Sequence, residues 1–160
     1  MSNTLDTTIH RYYGIHFNQK VWEQLSKPSL TVEEGYALID IAHASNHHWR
    51  FAGTEIHQQR GAYVIARVFM SLGNPEAALI YAQRCMSLTK EGMEGIMDFD
   101  FAYANEIMWK CLEGAGKTEE AKQFKKEARR LGDLIESAED KEIFEEDYDM
   151  EYRNLMKVEA

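Results

Sequence analysis

Two stretches, Arg67-Val-Phe-Met-Ser-Leu-Gly73-Asn-Pro-Glu-Ala-Ala78-Leu79 and Lys110-Cys-Leu-Glu-Gly-Ala-Gly116-Lys-Thr-Glu-Glu-Ala121-Lys122, repeat one pattern at a distance of 43 residues. Each reads as the end of a helix, a glycine turn and the start of a second helix. Glycine takes the left-handed backbone that terminates a helix at little steric cost. Asn74-Pro75 then supplies a cap and a proline at the first helical position, where a missing amide leaves no bond unmade.

Working outward, Ile65, Val68, Phe69 and Leu72 form a helical stripe before Gly73, and Leu79, Ala82 and Met86 form one after it. Asp98 is expected to cap a helix carrying Phe101, Ala104, Met108 and Leu112, and Thr118 to cap another carrying Ala121, Phe124, Ala128 and Leu131 up to Gly132. Upstream, Thr31-Val-Glu-Glu34 has the form of a capping box and opens a helix that closes at Gly53, after which Thr54 opens the next. Phe17, Val21, Trp22 and Leu25 mark a first helix ended by Lys27-Pro28. Ser137 starts a last one with Phe144, Tyr148, Tyr152 and Leu155 on its apolar side. Seven helices result, and no stretch alternates with period two, so the expected class is all-α.

The 160 residues suffice for one domain, and the expected division is an N-terminal helix (1–28), a hairpin (31–72), a repeat region (63–132) and an acidic terminal helix (137–157). The net charge of -9 is local. Ten acids against Lys141 alone lie between Asp133 and Glu151, and the rest of the chain is balanced. On an amphipathic helix these acids read as a solvated face that caps the array, with rim contacts to the basic segment Lys117 to Arg130. No net basic face argues for nucleic acid, no apolar run is long enough to span a membrane, and the start lacks a secretory layout. Cytoplasmic location is the expectation. Cys85 and Cys111 have neither CxxC nor Cys/His spacing and are expected to pack as small apolar residues.

Ile65, Ala66, Phe69, Gly73 and Ala78 in the first copy, and Met108, Leu112, Gly116, Ala121 and Ala128 in the second, resemble the tetratricopeptide-repeat family. Trp109 stands where a small residue is expected, and the extra length lies between Thr89 and Asp98. The string Ala42-His-Ala-Ser45 with His48-Trp49 also resembles a group of uncharacterised bacterial proteins of similar layout. The resemblance implies antiparallel hairpins stacked as a short right-handed array with a concave binding side.

Candidate site residues gather in two places. His43, His47, His48 and His57 lie within one hairpin, where a turn at Gly53 predicts His57 opposite Trp49, His48 near Gln58 and His43 near Tyr63. Asp40, His43 and His47 share a helical face, a weak metal-ligand geometry that lacks a fourth ligand and the HExxH glutamate. Packing, pH sensing and metal binding all remain open for this group. The second place is Asp98, Asp100, Tyr103 and Glu106. The two aspartates suit a helix N-terminus, and Glu106 is a candidate to face the groove and bind a cation. Asp147, Asp149 and Glu151 do not form a calcium loop, because a helix points alternate residues apart and no glycine interrupts them.

The sequence contains no GxSxG, P-loop or GxGxxG motif, and no cofactor is implied. The expected function is protein or peptide binding on the concave face, through His43, His47, His48, Trp49, His57, Arg60, Tyr63, Asp98, Asp100, Tyr103 and Glu106. A homodimer through Trp22, or through Tyr12 and Tyr13, is a further expected partnership. The competing expectation is a small-molecule or metal-dependent enzyme whose pocket is lined by His43, His57 and Glu106.

Overall fold

The computed structural model describes residues 6–156. Among them are seven α-helices: α1 (Thr7–Leu25), α2 (Val32–Ala52), α3 (Glu55–Ser71), α4 (Pro75–Leu88), α5 (Asp98–Gly114), α6 (Thr118–Asp133) and α7 (Ala138–Asp149). The expected terminal segments reach residues 1 and 157, and residues 1–5 and 157–160 lie outside the described part. No described helix is long and apolar enough to cross a membrane.

Both repeat turns have the same hydrogen bonds. Asn74 N–H donates to Phe69 O (2.9 Å) and Gly73 N–H to Met70 O (3.2 Å); Lys117 N–H donates to Leu112 O (2.8 Å) and Gly116 N–H to Glu113 O (3.0 Å). These are Schellman ends, and they need the φ of 72° and 77° that Gly73 and Gly116 adopt. The turns reverse the chain, and the hairpins close on small residues. Ala66, Ala78, Ala82, Ala102, Ala121 and Ala128 are all fully buried, so the helix backbones approach closely.

The hairpins are α1/α2, α3/α4 and α5/α6, stacked through α2 on α3 and α4 on α5, with α7 against α5 and α6. This phase corrects the expected 31–72 hairpin: α2 also packs on α3, but its main partner is α1. The reason lies in the N-terminal helix, which starts at Thr7 under an Asp6 cap and runs ten residues further than the stripe from Phe17 suggests. Gly14 lets α1 come so close that a Cβ there would lie 2.8 Å from the Trp49 ring on α2.

Three boundaries differ from expectation. Met97, not Asp98, is the N-cap of α5; Asp100 accepts the Met97 N–H at 2.9 Å, whereas Asp98 accepts the N–H of Glu136. Lys117, not Thr118, precedes α6. The last helix stops at Asp149 instead of running to 157. Met150 to Met156 is an extended strap that returns across the array, where Leu155 N–H donates to Ser71 O (2.8 Å) and Leu30 N–H to Leu155 O (2.7 Å). Leu155 and Met156 join the core made by Val21, Leu30, Leu38 and Val68. Phe144 anchors α7 and is fully buried, a contribution of roughly 1.5–3 kcal/mol.

Candidate functional site

Five helices enclose one groove of about 490 Å³. α1 supplies Asn18, Val21 and Trp22, and α2 supplies Ala42, Ser45, Asn46 and Trp49. The central wall is α3, from His57 to Arg67, and Phe99, Asp100 and Tyr103 of α5 and Ile143 and Asp147 of α7 complete it. The floor is largely apolar and aromatic, with polar groups at fixed points.

Two ion pairs hold those points. Arg60 Nε and Nη2 donate to Asp100 Oδ1 (2.9 Å) and Oδ2 (2.8 Å), a bidentate pair in which Asp100 is buried and also closes the cap of α5. Arg67 Nη2 donates to Asp147 Oδ1 (2.9 Å), and Tyr103 Oη donates to Asp147 Oδ2 (2.8 Å). Arg67 also donates to the Tyr63 hydroxyl (3.1 Å) and lies over the Trp22 ring at 5.1 Å. Below the groove, Lys110 Nζ donates to the carbonyls of Asp147 and Met150 (2.8 Å for the latter), placing a cation at the negative end of α7. The acidic helix is therefore more than a solvated face: Asp147 turns inward and fastens α7 to α3 and α5. The expected rim contact to the basic helix also forms, as Arg129 with Glu145.

Glu106 does not face the groove. It is fully buried, with Oε1 paired to Lys110 Nζ at 2.7 Å. Burial pushes its pKa up, against the pull of Lys110. The same carboxyl and, above all, burial drive the Tyr63 and Tyr152 phenols well above their usual range, so both stay protonated at neutral pH. Glu106 is thus placed away from the groove in which it is expected, and the cation that it meets is Lys110 of its own helix.

The histidines separate. His57 stacks on Trp49 at 4.3 Å, the cross-hairpin pair that the Gly53 turn predicts. His48 instead turns to α1, with Nδ1 2.9 Å from His10 Nδ1, and its pKa is lowered by burial and by His10 and His47. His43 packs edge-on against Tyr81 and Phe69, and His47 is exposed beside Phe51. Among the described residues no three His, Cys, Asp or Glu side chains converge as metal ligands, so Asp40, His43 and His47 do not form a site. Burial pushes the Cys85 thiol up to about 12 and raises Cys111 as well, which leaves neither as a thiolate at neutral pH.

Of the residues singled out from sequence, Trp49, His57, Arg60, Tyr63, Asp100 and Tyr103 line the groove, whereas His43, His47, His48, Asp98 and Glu106 do not. The sequence reading missed Arg67, Asp147, Asn18 and Asn46; Trp22, an expected dimer contact, also lines the groove. Asp147 did carry a signal: it sits between Phe144 and Tyr148, at the border of the buried stripe. No family model, curated protein or solved structure matches the chain, and the functional argument is made from this geometry.

Proposed function

We propose that the chain is a protein-interaction module that holds a segment of a partner in the groove between α1, α2, α3, α5 and α7. The observation that carries this reading is the groove itself, an apolar floor whose four charged side chains, Arg60, Asp100, Arg67 and Asp147, are paired with one another. Such a surface gains free energy by covering apolar area and has no uncommitted acid–base pair for catalysis. Trp22, 39% exposed and braced by Arg67, has the character of an interface anchor. The tetratricopeptide-like reading of the hairpins belongs to this proposal, since stacked hairpins of that kind display their first helices on one concave side.

The enzyme alternative needs His43, His57 and Glu106 around one pocket. Only His57 of the three lines the groove, which removes the constellation on which that alternative rests. The test is Trp22→Glu. The variant retains its helical circular dichroism and loses the partners that the native chain captures by co-purification. A folded variant that captures the same set refutes the reading.

A further inference from the structure

The groove is not electrically uniform, although the chain as a whole is strongly acidic. Where α1, α2 and α3 meet, Arg11 of α1 and His57 of α3 both lie against the Trp49 ring, and Arg60 follows His57 by one turn of α3. Arg11 is exposed, lies over the Trp49 ring at 5.7 Å and makes no ion pair among the described residues. Arg60 is 45% exposed and commits Nε and Nη2 to Asp100. His57 accepts the Thr54 N–H on Nδ1 at 3.0 Å, which places the ring proton on Nε2. That Nε2–H has no partner among the described residues, and His57 lines the groove.

The acid paired with Arg60 is Asp100, and its oxygens are occupied by Arg60 and Met97. The bases act together. After burial, the two charges that hold the His57 pKa low are Arg11 and Arg60, so both guanidiniums project a positive field onto one ring. Three donors, two of them against an aromatic plate and the third with its paired acid occupied, are a receptor for an anion.

We infer that Arg11, His57 Nε2–H and Arg60 receive a carboxylate side chain of the partner segment, whose neighbouring apolar residues cover Trp22, Val64 and Ile143. This rests on the groove being the partner site. A carboxylate is favoured over a phosphoryl group because the far wall is the acidic α7, where exposed Glu139 and Glu146 flank Ile143. A dianion there meets more repulsion than a monoanion.

The test starts from a phage library of random twelve-residue peptides selected on the full chain. Recovered peptides are synthesised and titrated by fluorescence anisotropy against the native chain, Trp22→Glu and Arg11→Glu. Expected are peptides that need Trp22, carry Asp or Glu, and bind Arg11→Glu about tenfold more weakly. A Lys in place of the peptide's acid restores binding to that variant. Peptides that need Trp22 but carry no acid, or that bind Arg11→Glu unchanged, overturn the carboxylate receptor and leave the groove standing. Tighter binding by a phosphoserine version of the same peptide also overturns it, in favour of a phosphoryl ligand. If no recovered peptide depends on Trp22, or none is recovered, the groove reading itself fails.

Discussion

Replacing Asp147 with alanine tests how α7 is held. The carboxylate joins α7 to Arg67 of α3 and Tyr103 of α5, and the two ionic side chains are only 20% and 12% exposed. Removing the acid strands a buried guanidinium. Breaking a buried pair costs about 3–5 kcal/mol, and the residual solvent access here favours the lower end. The lost tyrosine bond adds about 1 kcal/mol, for a total of about 4 kcal/mol. Against a domain stability of roughly 5–15 kcal/mol the variant still folds, with its urea midpoint lower by about 1–2 M. Hydrogen exchange should show the loss first in α7. The double variant Arg67→Met, Asp147→Leu removes both charges and recovers much of the deficit, because no unpaired ion remains. A single-variant cost under about 1 kcal/mol, or a double variant less stable than the single one, refutes the assignment of Asp147 as the clasp.

Gly132→Ala drives a methyl into the Phe144 ring, well inside van der Waals contact, and that ring is fully buried. The gain in helix propensity is about 1 kcal/mol and the overpacking cost about 1–3 kcal/mol, so thermal denaturation should show a net loss. His48 has a folded pKa below its unfolded value, so the unfolded chain binds the extra proton and stability falls as pH drops from about 6.5 toward the folded value. Urea midpoints at several pH values should show this decline, and His48→Gln should reduce it; an unchanged slope sinks the idea. Gly73→Ala forces a φ of 72° on a side chain and crowds Asn154 of the strap, with an expected cost of at least about 1 kcal/mol in urea unfolding.

The helices were legible wherever the signal is local. Gly73, Gly116, the Thr31 capping box, the Asn74-Pro75 start and the Ser137 cap are each decided within a turn of chain, and all five act as read. Asp98 misled because either aspartate of that first turn fits a cap, and the choice is made by Arg60, forty residues away in sequence. The end of α7 misled because Tyr152 and Leu155 keep helical spacing while Lys110, Ser71 and Leu30 pull the backbone straight. The candidate site was half legible. His57 opposite Trp49 follows from one hairpin turn, but the departure of His48 depends on α1 and His10, and the burial of Glu106 depends on Lys110 and on the return of α7. Such outcomes belong to tertiary contacts.

The strap from Met150 to Met156 also alters how the molecule comes apart. A row of hairpins in which each touches only its neighbours is free to fray from either end, one unit at a time. Here Arg153 reaches the Pro28 carbonyl across 125 positions of sequence, and Leu155 bonds to both Leu30 and Ser71. First and last units thus share a fastening, and opening either end exposes apolar surface belonging to both. Local hairpins form early, while this distant closure carries a high loop entropy and comes late. The completed protein behaves as a ring with a latch: slow to shut, and then unable to lose one end alone.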